Sequence, residues 1–326
     1  MRSWDTLTEA GQIRRLRSLA ISALAEFPIE PIRLRLVGGF TNVIFRVDTA
    51  DGPYALRIDL HQDHTDEHVD IELAWLDALS HDTNLDVVRS VPARDGRRYV
   101  HASGPGVPGE RRCALFEWVP GRILGANPTE AGYRQLGELS AGLHVHGAGF
   151  APPHPPMAWD RVFYWAEDVD PVVIFDPEMA HHFTGGRREI LDRSIEVVEG
   201  AFARLDAAEG QVIHGDLHPD NVHTYRNRLI VFDFEDVTWG HRVQDVAITL
   251  FYERNRPDYS DLRAAFEEGY RSVAPWPATY DGELEHFMAA RTISFVNYVA
   301  NLRDDPSDYY DIFFPRLETF LATWDK

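Results

Sequence analysis

The sequence predicts an α+β protein of two lobes, an N-terminal lobe with an antiparallel sheet and a mostly helical C-terminal lobe. Residues 32–58 alternate apolar and polar side chains and turn at glycines, which is the pattern of consecutive β-strands. Residues 133–145 repeat leucine on one face at helical spacing, and further helical stretches follow. Pro120-Gly121 interrupts the pattern. We therefore place the two lobes at residues 1–119 and 120–326.

The composition indicates a chain with a sizeable core in a reducing compartment. The chain has 326 residues, of which 44% are hydrophobic, enough for two packed lobes. Its single cysteine, Cys113, excludes an intramolecular disulfide and lies in an apolar run, so we interpret it as a core residue. No stretch approaches the roughly 20 apolar residues of a membrane span, and the N-terminus lacks a signal-peptide pattern. We expect a cytoplasmic protein without a membrane partner.

The charge balance is strongly acidic, with 32 basic residues against 52 acidic residues and a net charge of −20. Such a surface repels a phosphate backbone, so we expect no nucleic-acid partner. Two interpretations of the acidity remain open. It either keeps the protein soluble or steers a cationic substrate towards an acidic cleft. The sequence leaves the oligomeric state open.

One polar loop lies between two apolar strands and contains the residues that carry chemistry. In kinases, an Asp of such a loop orients and deprotonates the attacking hydroxyl, while an Asn five residues later and an Asp after the next strand hold Mg²⁺. Asp216 and Asn221 have this spacing, and Asp233 follows after a second apolar strand. Turn chemistry is the alternative, because Asp and Asn favour turns, but it accounts for one such residue rather than three. The pattern predicts phosphoryl transfer.

The chain resembles the aminoglycoside phosphotransferase family in two segments, His214-Gly215-Asp216-Leu217-His218-Pro219-Asp220-Asn221 and Val231-Phe232-Asp233-Phe234-Glu235-Asp236. This family has a protein-kinase-like fold and includes kinases of antibiotics, homoserine and choline and a stress-response Ser/Thr kinase. The resemblance implies that Asp216 is the catalytic residue and that Asn221 and Asp233 are the Mg²⁺ ligands. It also implies ATP as the donor, bound between the lobes, although GTP stays open.

A glycine loop of the first lobe is a candidate phosphate contact. Glycines at a hairpin tip let the backbone approach phosphates, because no side chain stands in the way. Gly38 and Gly39 lead into Phe40, Thr41 and Asn42, and this run resembles the loop of small-molecule kinases, although it departs from G-x-G-x-x-G. We expect Gly38, Gly39 and Asn42 to contact the nucleotide. An ordinary hairpin turn is the alternative.

The resemblance implies three further nucleotide contacts in the first lobe. Protein kinases carry a Lys on the third strand, where this chain has Arg57, which can bind phosphate oxygens with two N–H groups. Glu72 matches the helix residue that pairs with this cation, and the backbone near Glu117 and Val119 matches the segment that contacts adenine. The alternatives are a strand-edge charge for Arg57 and a solvated helix charge for Glu72. For the segment near Glu117 and Val119, the alternative is the plain end of a strand.

We therefore expect an ATP- and Mg²⁺-dependent phosphotransferase that acts on a hydroxyl of a small molecule. The acidic balance favours an amine-bearing acceptor, such as an aminoglycoside or an amino alcohol. Two alternatives are a Ser/Thr protein kinase of the stress-response type and a pseudokinase that binds nucleotide without turnover, which Arg57 in place of Lys would permit. The sequence does not choose among the acidic residues that could bind an amine, which are Glu253, Glu283, Asp304 and Asp305.

The resemblance also implies a supporting role for Asp245 of the C-terminal lobe. Asp245 lies in the first turn of a predicted helix, where the helix dipole favours a carboxylate. By resemblance it would brace the backbone of the catalytic loop. The alternative is an ordinary acidic residue at a helix start.

Overall fold

The secondary structure of the computed structural model is described for residues 3–39, 42–60, 64–163, 170–303 and 305–325. Phe40 and Thr41 of the expected glycine loop, and the candidate amine contact Asp304, lie outside these residues. The chain divides into two units, Met1–Gly121 with Ile230–Phe232 and Arg122–Leu229 with Asp233–Lys326. None of the helices within the described ranges is long and apolar enough to cross a membrane.

The first unit is an antiparallel sheet with two helices. Its strands are ordered β1-β2-β3-β6-β4, and β5 also pairs with β6. Its elements are α1 (Glu9–Leu24), β1 (Arg33–Gly39), β2 (Asn42–Asp48), β3 (Pro53–Asp59), α2 (Asp66–Asp82), β4 (Ser90–Val91), β5 (Val100–Ala102) and β6 (Arg111–Glu117).

The core of the first unit forms where α1 packs on the sheet. Leu16 and Leu19 of α1 share one buried cluster with Phe45 of β2, Leu56 of β3 and Cys113 of β6. The inward residues of β2 alternate with partly exposed ones, as the sequence pattern predicted. Burial raises the pKa of the Cys113 thiol to about 12, with a smaller contribution from a nearby carboxylate. The interpretation of this cysteine as a core residue is confirmed.

From Arg122 onward the chain is mostly helical, with two small antiparallel sheets ordered β10-β9-β7 and β11-β8. The main hydrophobic cluster joins α4, α7 and α8, whereas α5 is buried along nearly its whole length. The elements are β7 (Arg122–Ile123), α3 (Glu130–Gly147), α4 (Arg187–Phe202), β8 (Gln211–Ile213), β9 (Val222–Tyr225), β10 (Arg228–Val231), β11 (Thr238–Gly240), α5 (Arg242–Phe251), α6 (Tyr259–Arg271), α7 (Glu283–Leu302) and α8 (Ser307–Trp324).

The short strand β11 depends on partners outside its own stretch of sequence. Trp239 pairs with Val212 of β8, and its amide donates to the carbonyl oxygen of Met157 at 2.7 Å. The partners come from distant parts of the chain, so the local sequence carries no strand pattern. This pairing joins the strand that leads into the catalytic loop to the segment that leads into α5.

The helices α3 and α6 approach each other at glycines. A Cβ atom at Gly137 would lie 2.7 Å from the amide nitrogen of Tyr270 and would overlap the carbonyl oxygen of Phe266. Gly269 of α6 has the same relation to the carbonyl oxygen of Arg134. These positions need glycine for close backbone approach, because any side chain would push the two helices apart.

We predict that Gly137→Ala lowers the free energy of unfolding by about 1–3 kcal/mol, the usual cost of overpacking. Gly200→Ala is the matched control, since Gly200 is exposed on α4 and a Cβ there meets no described atom within 4 Å. The control should raise stability by about 0.5–1 kcal/mol through helix propensity. Urea unfolding measures both variants, and equal effects of the same sign would contradict the close approach.

Candidate active site

The loop after β8 is held by a buried chain of hydrogen bonds. Gly215 has a φ of +81°, which turns the backbone, and its amide donates to Oδ1 of Asp245 at 2.9 Å. Nε2 of His144 lies 2.9 Å from Oδ2 of the same carboxylate, and Nδ1 of His144 lies 2.8 Å from the hydroxyl of Tyr270. The side chains of Asp245 and His144 are fully buried. The expected bracing contact between Asp245 and the loop is therefore confirmed.

The carboxylate of Asp216 lies in this loop and meets three donors. Nη2 of Arg291 lies 2.7 Å from Oδ1, Nε2 of His218 lies 3.4 Å from Oδ2, and Nδ2 of Asn221 lies 3.3 Å from Oδ2. Burial acts to raise the pKa of Asp216, but the attraction of Arg291 and the hydrogen bond of His218 outweigh it and bring the pKa below its usual value. The group is therefore ionised at neutral pH and able to accept a proton.

Asn221 and Asp233, the predicted metal ligands, lie on either side of the hairpin β9–β10. Nδ2 of Asn221 also donates to the carbonyl oxygen of Asp216 at 3.0 Å, which leaves Oδ1 as the ligand atom. Asp233 has a φ of +65°, a left-handed conformation that is strained for a residue other than glycine and is common at functional sites. The hairpin itself turns at Arg226 and Asn227, which both have positive φ, as in a type I′ turn.

The donor chemistry of this pair fits Mg²⁺. Mg²⁺ prefers oxygen ligands and in phosphotransferases takes only one or two from the protein, completing its shell with water and substrate phosphates. The described residues contain no group of three or more His, Cys, Asp or Glu side chains that could hold a metal ion by themselves. A site built from Asn221 and Asp233 would therefore need a nucleotide to complete it.

A second carboxylate, Asp236, lies close to Asp216 and was given no role from the sequence. Burial raises the pKa of Asp236 well above its usual value, and the negative charges of Asp216 and Glu235 raise it further. Asp236 is the last residue of the segment Val231–Asp236 that resembles the family, but the sequence does not show its proximity to Asp216, which depends on the turn after β10. Its surroundings therefore favour the protonated form of Asp236.

The sequence reasoning also missed Arg291, which lies on α7 and is only 7% exposed. Besides its bond to Asp216, its guanidinium lies 4.9 Å from the ring centroid of Phe295 and 3.5 Å from the hydroxyl of Tyr252. The one signal in the sequence is an arginine within an otherwise apolar stretch of a helix, which is unusual because buried charges need partners. Which partner it meets is decided by the packing of α7.

Arg57 and Glu72 of the first unit form the ion pair that the sequence analysis proposed. Two parallel hydrogen bonds of 2.7 and 2.6 Å join the guanidinium to the carboxylate. Glu72 is only 1% exposed, so its interpretation as a solvated helix charge is wrong. Arg57 lies on β3 between β2 and β6, so the strand-edge charge is also wrong. The contact with nucleotide phosphates stays a prediction.

The glycines of the expected phosphate loop lie within a strand. Gly38 and Gly39 are the last residues of β1 and pair with Ile44 and Val43, after an irregularity of register that follows Leu36. Asn42 begins β2. The expectation of a loop at Gly38 and Gly39 is thus corrected to a strand end, which local sequence hides because glycine favours turns. Their contact with the nucleotide stays a prediction.

The segment expected to contact adenine lies at the end of β6. The amide of Glu117 donates to the carbonyl oxygen of Arg89 at 2.9 Å, and the next amide, of Trp118, donates to the carbonyl oxygen of Pro53 at 3.2 Å. Val119 follows the strand and is partly exposed. The proposed role of Glu117 and Val119 stays a prediction.

The acidic residues that the sequence offered for an amine differ in their surroundings. Glu283 is buried and accepts hydrogen bonds from the amide and hydroxyl of Thr279, and Asp305 accepts one from the amide of Ser307. Both act at helix starts. Glu253 follows Tyr252, which contacts Arg291, and burial raises the pKa of Glu253 despite an ion pair with Arg256. Of these candidates, Glu253 is the one whose pKa is also raised by the charge of Asp220, in the loop that follows β8.

A family model of phosphotransferase enzymes matches residues 33–280, about three quarters of the chain. The chain belongs to the phosphotransferase enzyme family. An uncharacterized protein of Synechocystis sp. is 26% identical over 279 residues, which cover 84% of this chain and 75% of that protein. The family match shows that the protein is a phosphotransferase.

Solved structures share the fold. A microcompartment-associated aminopropanol kinase matches with a TM-score of 0.75 and 21% identity, covering 95% of this chain and 96% of that one. An amicoumacin kinase in complex with AMP-PNP and Ca²⁺ matches with a TM-score of 0.74 and 15% identity, covering 97% and 94%. These likenesses confirm the predicted protein-kinase-like α+β fold.

We predict that Arg291→Gln lowers the free energy of unfolding of the phosphotransferase by about 3 kcal/mol at pH 7, because it leaves the Asp216 charge unpaired. A carboxylate with a depressed folded pKa stabilises above its unfolded pKa and loses that effect as pH falls through the folded pKa. The difference from wild type should therefore shrink on acidification from pH 7 to pH 4 and below. Urea unfolding at several pH values measures it.

Arg263→Gln is the matched control for this measurement. Arg263 pairs with Glu285 at 2.6 Å, also between a helix and α7, but both groups are about one-third exposed. Its loss should cost less than about 1 kcal/mol. A double variant, Asp216→Asn with Arg291→Gln, should recover part of the lost stability. Additive single effects would contradict a direct ion pair.

Proposed function

We propose that this phosphotransferase moves the γ-phosphoryl group of ATP, bound with Mg²⁺, to a hydroxyl of a small amine-bearing molecule. The observation that carries the proposal is the ionised carboxylate of Asp216, held by Arg291, His218 and Asn221 in a braced loop. An ionised carboxylate in this position can orient an acceptor hydroxyl and take its proton during transfer. A relative of the same fold in complex with AMP-PNP and a divalent cation supports the nucleotide.

Other residues of the proposed site would hold the metal ion and contact the phosphates. Asn221 and Asp233 would hold Mg²⁺, which, when bound, neutralises the charge that develops between the phosphates. In the first unit, Arg57, oriented by its bidentate pair with Glu72, contacts the phosphates. Such positioning and charge stabilisation make up most of phosphoryl-transfer catalysis.

The other predicted nucleotide contacts use the backbone of the first unit. Gly38, Gly39 and Asn42 border the phosphates, and the backbone near Glu117 and Val119 contacts the adenine. The register irregularity in β1 before Gly38 supports the first assignment, since a bulge with glycine lets a ligand approach the backbone.

Support for an amine comes from the carboxylates around Asp216. The charges of Asp216 and Glu235 both act on Asp236, and Glu253 directly follows Tyr252, whose hydroxyl contacts Arg291. A bound ammonium group would favour the ionised form of Asp236 and pair with its charge. The aminopropanol kinase that shares the fold acts, by its name, on an amine-bearing alcohol.

We predict Mg²⁺-dependent ATP consumption with phosphorylation of at least one member of a panel of amino alcohols, aminoglycosides, amino acids and sugars. Asp216→Asn should lower the rate by about 10²- to 10⁴-fold, the usual contribution of a general base. Mass spectrometry detects the phosphorylated product, and chelation of the metal should abolish it. Asp192→Asn is the control, because Asp192 lies on α4 in an exposed ion pair with Arg188.

Equal rates in Asp216→Asn and wild type would refute the role of Asp216. Phosphorylation of a generic protein and of no small molecule would favour a protein kinase instead. Mg²⁺-dependent ATP binding without any turnover would favour the pseudokinase.

A further prediction tests the nucleotide role of the Arg57–Glu72 pair. Glu72→Gln should raise the KM for ATP by about 10-fold, because a hydrogen bond to a charged group is lost, and should leave the KM for the acceptor unchanged. Glu67→Gln, also on α2 but near its exposed start, is the control. A change confined to the acceptor KM would contradict the assignment.

A further inference from the structure

An aromatic cluster extends from the partner of Asp216 into the helical part of the chain. It consists of Phe251, Phe295 and Phe313, whose ring centroids lie 5.7 Å apart for the first pair and 6.0 Å apart for the second. Arg291, which binds Asp216, lies over the ring of Phe295. The cluster is therefore continuous with the catalytic carboxylate.

Two more arginines lie on this aromatic cluster. The guanidinium of Arg254 is 3.6 Å from the ring centroid of Phe251, and that of Arg316 is 5.9 Å from the ring centroid of Phe313. Arg254 also donates to the carbonyl oxygen of Phe251 and lies 3.5 Å from the hydroxyl of Thr292, the residue after Arg291. Three positive charges thus surround three rings beside the site.

The charge of Arg291 is neutralised by Asp216, whereas Arg254 and Arg316 lack such a partner among the described residues. Within the described residues, neither Arg254 nor Arg316 forms an ion pair with a carboxylate, although acidic residues outnumber basic ones in this chain by 52 to 32. Both side chains are partly buried. Burial, and after it the repulsion of Arg316, lowers the pKa of Arg254 to about 9, so the group is still charged at neutral pH but is disfavoured. A bound anion would relieve this cost.

We propose that Arg254 and Arg316 bind a negatively charged group, a carboxylate or a phosphate, on the hydroxyl compound that Asp216 orients. This inference rests on the proposed function and adds to it a specificity-determining pair. Arginine suits the task because its N–H groups match the oxygens of both anions. With the amine proposed above, the acceptor would carry both charges.

The geometry also limits the acceptor. Arg291 and Phe295 are one turn apart on α7, about 6 Å along the axis. Arg254 meets α7 at Thr292, within the same turn. The anionic group therefore lies a few bonds from the reacting hydroxyl, which favours a compact acceptor.

The test compares short alcohols that carry an amine, a carboxylate, both or neither, together with hydroxyl compounds that carry a phosphate. Transfer from ATP is measured for wild type, Arg254→Gln, Arg316→Gln and Arg271→Gln. The last variant is the matched control, since Arg271 pairs with Glu267 on the exposed face of α6. The carboxylate and phosphate arms decide which anion is bound.

We expect wild type to prefer the anionic acceptors. Arg254→Gln and Arg316→Gln should each lower kcat/KM for these acceptors by about 10- to 100-fold, mainly through KM. The acceptor with an amine alone should change by less than about threefold, and Arg254→Lys should restore part of the loss. Equal kcat/KM for charged and uncharged acceptors in wild type, or a preference that both variants keep, would overturn the proposal while leaving the kinase intact.

An equilibrium measurement separates this proposal from the proposed function. Malonate and inorganic phosphate are titrated calorimetrically into each protein in the presence of saturating ADP and Mg²⁺. Binding that both glutamine variants lose and Arg271→Gln keeps supports the anion site, even if no acceptor is phosphorylated and the proposed function fails. Binding of neither anion to wild type, or equal binding in all variants, would overturn the anion site. Urea unfolding of each variant confirms that it folds.

Discussion

The buried carboxylate of Asp245 is the point on which the catalytic loop depends. One of its oxygens accepts a hydrogen bond from the amide of Gly215, and the other contacts His144. A single side chain therefore joins α5, α3 and the loop that follows β8. An unpartnered carboxylate at this depth would be strongly unfavourable, and an unpartnered loop amide would also cost free energy. Each group therefore requires the other, and the position of Asp216, one residue further on, follows from that requirement.

The charges around Asp216 are balanced so that the carboxylate stays ionised. Burial alone would favour the protonated form, and Arg291 and His218 reverse that preference. For the neighbouring Asp236, burial and the charges of Asp216 and Glu235 outweigh the attraction of Arg291, and its pKa moves the other way. Two neighbouring carboxylates are thus given different protonation behaviour by their surroundings, which is how one site can hold both a proton acceptor and a group that avoids repelling it.

The net charge of the chain and the charge near Asp216 favour different substrates. The chain as a whole is acidic, which by itself suggested a cationic substrate. Arg254, Arg291 and Arg316 nevertheless gather on one set of phenylalanine rings beside the catalytic carboxylate. The rings attract the guanidinium groups through their faces, and of the three only Arg291 also pairs with a carboxylate among the described residues. Substrate charge is therefore better inferred from the groups that surround Asp216 than from the total composition.

The sequence by itself determined the α+β class and most of the elements, and it predicted roles for Asp216, Asn221 and Asp233. These follow from local periodicity and from short spacings along one loop and hairpin, which the backbone enforces without help from distant residues. It also indicated Arg57 and Glu72, because the family resemblance supplied a pairing that spacing alone could not.

Only the tertiary structure decided the strand at Thr238–Gly240, the strand pairing of Gly38 and Gly39, and the meeting of Arg291 with Asp216, 75 residues apart. The same holds for Arg254, in the turn after α5, and for Arg316 on α8. The physical reason is common to all of them. Such contacts depend on which faces of distant helices and strands pack together, and that choice belongs to the whole core rather than to any local stretch.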